Sequence, residues 1–197
     1  AAEDTRHTGI LLRRHGISKT MLSYHEHNEQ RRAVELVGLL EAGKDVALVS
    51  NAGTPTVSDP GYRVVALAAE RGLDVVPIPG ASALLAALVA SGLPTDRFLF
   101  EGFLPRKKGR STRLEELAAF RGTVILYEAP PRLGGTLEDV RTHFGERRVA
   151  LCRELTKKFE TVIRGSVTEV LEEVGRKTPK GECVLVIEKE VRASRAR

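Results

Sequence analysis

The chain has 197 residues, 42 % hydrophobic and 29 % charged, with a net charge of +5. That balance suits one large α/β domain or two small ones with a real core, and excludes a disordered or fibrous chain. Two cysteines, Cys152 and Cys183, each inside an apolar run and outside metal-ligand spacing, exclude a disulfide framework and fit a reducing, cytoplasmic setting.

Short runs rich in Val, Ile and Leu alternate with helical patterns along the chain. Residues 20–25 read as a weak strand, and Asn28 is placed to cap a helix that stops at Gly43. Asp45–Ser50 (DVALVS) reads as a strand. Asp59 followed by Pro60 opens the next helix and Gly72 closes it. Leu73–Ile78 reads as a strand, and 81–91 as a helix apolar nearly all round, which predicts burial on every side. The longest near-apolar run, 81–90, is about half the ~20 residues that a membrane-spanning helix needs, so no membrane partner is expected. Further strands are predicted at Arg97–Phe103, Thr123–Ala129, Arg147–Arg153, Phe159–Arg164 and Glu182–Lys189. Thr112 with Glu115, and Ser166 with Glu169, fit capping boxes that open helices.

These elements predict an α/β fold of two small lobes with a cleft between them. A boundary is expected at 92–96 (GLPTD), giving lobes 1–95 and 96–190 and a mobile basic tail, 191–197. Residues 1–96 hold 9 Lys and Arg against 11 Asp and Glu, whereas residues 97–197 hold 22 against 15. The basic excess therefore belongs to the second half. It fits either a polyanionic partner or a plain solvated surface.

Two strand-to-helix junctions stand out: 50–61 (SNAGTPTVSDPG) and 77–83 (PIPGASA). Ligands of open α/β sheets sit beyond the carboxyl ends of strands. Gly53 and Gly80 let backbone groups approach a ligand closely, and the prolines stiffen both loops. Glycine and proline also punctuate connections that bind nothing. Neither junction matches G-x-G-x-x-G or G-x-x-x-x-G-K-[ST], which disfavours a phosphate-cradling nucleotide site.

Five ordered motifs carry a family resemblance: 2–8 (AEDTRHT), 25–29 (HEHNE), 50–61, 96–105 (DRF, then EGFLP) and 153–157 (RELTK). Together they resemble the ribosomal RNA small subunit methyltransferase I family, in the tetrapyrrole-methylase-like class of S-adenosylmethionine-dependent methyltransferases. The resemblance implies 2'-O-methylation of a cytidine ribose in the decoding region of small-subunit ribosomal RNA, free or in the assembled subunit, by a homodimer. It implies S-adenosyl-L-methionine held at Ser50, Asn51, Gly53, Thr54, Pro55, Gly80, Ala81 and Ser82. The family has Asp where this chain has Asn51. It also implies that a first strand with a Pro-Gly loop, and a helical C-terminal extension, lie outside this chain.

A ribose hydroxyl must lose its proton during methyl transfer, so a nearby acceptor is expected. Glu154, Lys157 and Glu128 are the candidates, and Lys157 qualifies only if its pKa is lowered. Each also reads as a surface ion-pair member. Arg106, Lys107, Lys108, Arg110 and Arg113 form the expected RNA footprint, with Arg153 as a further phosphate contact. His25 and His27 point the same way on an extended segment but lack a third metal ligand nearby, so no metal is expected. Hydrogen bonding to substrate at the cleft rim suits them better. Two alternatives stay open: a tetrapyrrole methylase, and a non-catalytic RNA-binding fragment.

Overall fold

The computed structural model describes residues 1–177 and 179–190; the tail expected at 191–197 lies outside them. The fold is α/β and divides into two compact units, Ala1–Ser82 and the chain from Ala83 onward. The expected break was at 92–96. The division comes earlier because α4 (Ala83–Ser91) packs on the sheet of the second unit.

That sheet has five strands: β1 (Phe98–Phe103), β2 (Thr123–Glu128), β3 (Arg148–Arg153), β4 (Thr161–Ser166) and β5 (Cys183–Ile187). Their order is β1-β2-β5-β3-β4. Only β1 and β2 run parallel, and every other pair is antiparallel. Central β5 is buried along its whole length, which explains why CVLVI is a continuous apolar run and not an alternating one.

Period-two alternation assigns each side chain to a face. Val124, Leu126, Val149, Leu151, Cys183, Leu185 and Ile187 meet a helical layer. That layer is α5 (Arg110–Ala119), α6 (Leu133–Phe144) and α7 (Val167–Arg176). Ile125, Ala150, Cys152, Val184 and Val186 face the other way, against Ala87 and Leu88 of α4. Burial pushes both thiols up to about 11, so they act as small apolar side chains and not as nucleophiles.

Helix α4 departs from its expected all-round burial: Leu85 is 49 % exposed and Val89 76 %. One of the two capping boxes forms. Ser166 accepts from the Glu169 N–H and Glu169 returns the bond to the Ser166 N–H. Thr112 caps nothing, because Gly109, at φ 79, starts α5 at Arg110.

The first unit contains α1 (Thr5–Arg14), α2 (Glu29–Glu41) and α3 (Tyr62–Glu70); α2 and α3 pack together around Tyr24, Ala33, Leu36, Val37, Val64 and Ala68. The strands expected at 20–25, 45–50 and 73–78 do not form ladders. Only isolated parallel bridges join Ala2 to Ser23 and to Val49, and Val75, Val76 and Ile78 stay exposed. Apolar β-branched residues favour a strand, but a ladder also needs a neighbour's N–H and C=O groups. Among the described residues, 73–78 meets none. No helix among the described residues is long and apolar enough to cross a membrane.

Candidate functional site

The two conspicuous junctions meet. The Thr54 hydroxyl donates to the Ala81 carbonyl at 3.0 Å. A Cβ at Gly53 would sit 3.9 Å from that same oxygen. Segments 27 residues apart in sequence are thus tied directly together, with the backbone of both exposed. Within the first turn, Ser50 Oγ donates to the Ala52 carbonyl at 3.2 Å, and the Asn51 N–H donates to Glu3 at 3.0 Å. Thr56 and Ser58 hold left-handed backbone at φ 75 and 62, a conformation costly for residues with a Cβ.

Glu29 anchors the far end of this turn. One carboxylate oxygen accepts from the Gly61 N–H at 3.1 Å, the Arg63 N–H at 3.3 Å and the Tyr24 hydroxyl at 3.1 Å. It therefore caps α3 from another helix, where Asp59 had been expected to open it. Gly61 has to be glycine: at φ 151, an added Cβ would lie 2.6 Å from Thr56 Cγ2 and 2.8 Å from Leu48 Cδ2.

Residues 2–171 match the model of the tetrapyrrole (corrin/porphyrin) methylases. The chain belongs to the tetrapyrrole methylase family. Within it, the chain is 52 % identical over 189 residues to ribosomal RNA small subunit methyltransferase I of Synechocystis sp., covering 95 % of this chain and 68 % of that one. It is 48 % identical to the protein of that name from Halalkalibacterium halodurans, covering 95 % and 65 %. The chain thus spans about two thirds of the length of these relatives. A solved uroporphyrin-III-C-methyltransferase from Thermus thermophilus superposes with a TM-score of 0.56 at 27 % identity, covering 82 % of this chain and 71 % of that one.

In this family member the expected proton acceptors of the second unit are all engaged. Glu128 is 2 % exposed. One oxygen accepts from the Ala129 N–H at 2.8 Å and lies 3.3 Å from Arg132 Nε; the other accepts from the Thr136 hydroxyl at 2.6 Å. A carboxylate so enclosed anchors the structure around it. Lys157 lies 2.9 Å from Glu182 and 3.1 Å from Glu154, and these carboxylates raise its pKa. The shift is opposite to the one a neutral amine base needs. Glu154 accepts from the Glu182 N–H at 2.9 Å; that bond, then Lys157, holds its carboxyl below the ordinary range. A Cβ at Gly181 would run into this carboxylate. The Arg153–Lys157 stretch is thus a clip onto 180–182, with Arg153 Nε donating to the Lys180 carbonyl at 2.5 Å.

The basic stretch 106–113 divides in two. Arg110 turns inward, donating to Asp139 at 2.7 Å, Thr136 Oγ1 at 2.7 Å and the Pro105 carbonyl at 3.0 Å. Arg113 pairs with Glu101 at 2.6 Å and Glu116 at 2.8 Å. Arg106, Lys107 and Lys108 are exposed, with no side-chain partner among the described residues. They are the cations free to meet a polyanion.

A cavity of about 480 Å³ in the first unit is lined by Glu3, by His25, Glu26, His27 and Glu29 of the HEHNE stretch, and by Ser58–Pro60. Asn28 organises its wall instead of capping α2 with its side chain. Its carbonyl oxygen accepts from the His25 N–H at 2.9 Å, and its amide nitrogen donates to the Ser23 carbonyl at 3.2 Å. That same nitrogen lies 3.1 Å from His25 Nε2. An amide nitrogen only donates, so Nε2 must accept and the neutral ring carries its proton on Nδ1. Nδ1 is buried and has no partner. Among the described residues no group of three or more His, Cys, Asp or Glu could hold a metal ion. Glu3 and Glu29 lie in the motifs 2–8 and 25–29 but had no individual role in the sequence, Asn28 showed only as a helix cap, and Thr136 gave no signal.

Proposed function

We propose that this chain transfers a methyl group from S-adenosyl-L-methionine to the 2'-hydroxyl of a cytidine ribose in the decoding region of small-subunit ribosomal RNA. The observation that carries the reading is the junction of the two turns through Thr54 and Ala81. Ser50, Asn51, Gly53, Thr54 and Pro55 on one turn, and Gly80, Ala81 and Ser82 on the other, form one continuous stretch of accessible backbone. Exposed N–H and C=O groups next to glycines suit the adenine edge and the amino-acid end of such a donor. The bound sulfonium supplies an already activated methyl group, its C–S bond breaking with the electron pair left on sulfur. Positioning is then the larger part of what the protein adds.

Arg106, Lys107 and Lys108 supply the phosphate contacts, with Arg110 and Arg113 as the frame that presents them. Such contacts give affinity without sequence choice. The names of the relatives favour ribosomal RNA over a tetrapyrrole as acceptor. A homodimer working in the cytoplasm belongs to the same reading and rests on family resemblance.

The test is methyl transfer from isotopically labelled S-adenosylmethionine, offered side by side to small-subunit ribosomal RNA, to assembled small subunits and to a porphyrinogen. Label on a ribose oxygen, located by nuclease digestion and mass spectrometry, is the expected result. Label on the porphyrinogen alone would overturn it. Charge reversal of Arg106, Lys107 and Lys108 to Glu should weaken RNA binding and leave donor binding intact by calorimetry.

A further inference from the structure

The expected bases of the second unit being engaged, the methyl-transfer reading lacks a proton acceptor. We propose that the cavity behind the HEHNE stretch receives the acceptor nucleoside, and that the His27 imidazole takes the hydroxyl proton. This inference rests on the methyltransferase reading above.

Four observations converge. First, the cavity is walled in part by Ser58–Pro60, the end of the same turn whose beginning meets Ala81. Donor and acceptor sites would thus share one stretch of backbone. Second, about 480 Å³ lies within the range of small-molecule pockets.

Third, the lining is acidic and imidazole-bearing, the reverse of the 106–108 loop. Glu3, Glu26, Glu29 and Asp59 repel phosphate. Of these, Glu3 and Glu26 are placed to accept hydrogen bonds from sugar hydroxyls or from an exocyclic amine, both of which a nucleoside offers. Backbone phosphates and the nucleoside would then be held by surfaces of opposite charge.

Fourth, the two histidines differ in kind. The lone pair of His25 Nε2 is taken by Asn28, and its Nδ1 proton has no acceptor. His25 is thereby left with no free acceptor nitrogen, its Nδ1 being buried. His27 sits edge-on to His25 with ring centroids 5.9 Å apart and is exposed. A neutral imidazole so placed can accept a proton. The ribose O–H bond breaks, its proton passes to a His27 ring nitrogen, and the oxygen forms the new bond to the methyl carbon. Solvent later removes the proton.

Single-turnover methyl transfer to the small-subunit substrate tests this with the full chain. His27→Ala should lose about 100-fold or more in rate, regain part of it with added imidazole, and bind the donor as the parent does. A parent-like rate, or a loss that imidazole leaves unchanged, would overturn the assignment. If the parent chain methylates no ribose at all, the broader reading fails instead. A second arm follows the ring protons of His25 and His27 by NMR. Cytidine should shift them and inorganic phosphate should not; the reverse pattern would exclude a nucleoside pocket.

Discussion

The two units answer the same kind of sequence in opposite ways. CVLVI at 183–187 and DVVPI at 74–78 are both short apolar runs, yet the first is wholly buried at the middle of a sheet. The second lies open, with Val76 75 % and Ile78 82 % exposed. Local preference is similar; what differs is the neighbour. β5 finds β2 on one side and β3 on the other, whereas 73–78 finds no ladder partner among the described residues. A strand belongs to its sheet before it belongs to its own residues. The turns proposed to hold the methyl donor fall in the open unit, and the cations proposed to meet RNA fall on the closed one.

The largest expected effect tests that contrast directly. Leu185→Ala, at a fully buried position facing α5, α6 and α7, should cost about 2–5 kcal/mol, read by chemical denaturation. Val76→Ala should stay within about 0.5 kcal/mol. Equal losses would mean that 73–78 is packed in solution.

Next in size is Thr136→Val. It removes the donor to Glu128 and the acceptor for Arg110 together, at about 1–3 kcal/mol. It should also free the 105–110 segment, seen as faster amide exchange there, while α7 keeps its protection. Uniform exchange across the unit would refute a local anchor.

The smallest effect concerns the clip at 153–157. The Glu154 carboxyl is depressed, so its contribution is present above the ordinary value of 4.5 and is lost as pH falls through its lower folded value. Lys157 is raised, so its contribution is present below 10.5 and is lost as pH rises through its higher folded value. The Glu182 amide, which bonds Glu154, should therefore hold a constant chemical shift across neutral pH and move only at the two extremes. A midpoint near pH 7 would contradict the pairing.

Legibility in the sequence followed the same divide. In the second unit, short runs rich in Val, Ile and Leu marked the strands, most plainly β2, β3 and β5, which are buried on both faces, and the Ser166–Glu169 box marked α7 through its reciprocal cap. The antiparallel order did not show, since alternating strands and helices say nothing of strand direction. Thr112 with Glu115 has the same spacing as the box that formed, and only the left-handed Gly109 separates the two cases. At the site, each turn was visible alone as a Gly-Pro stretch after an apolar run. Their meeting through Thr54 and Ala81 was not, because contact across 27 residues leaves no local mark. Arg110 was read with its neighbours as a free cation. An arginine inside a basic run looks the same whether its guanidinium faces solvent or the Glu128–Thr136 anchor.

That inward turn of Arg110, with the double pairing of Arg113, changes how many counterions the proposed RNA binding by this loop can release. Each phosphate neutralised contributes about 0.7–0.9 to the slope of log affinity against log salt concentration. Five basic residues would steepen that slope by about four, but three uncommitted ones should add only about two to it. The loop should grip RNA less tightly at low salt than its composition suggests, and lose less of that grip as salt rises.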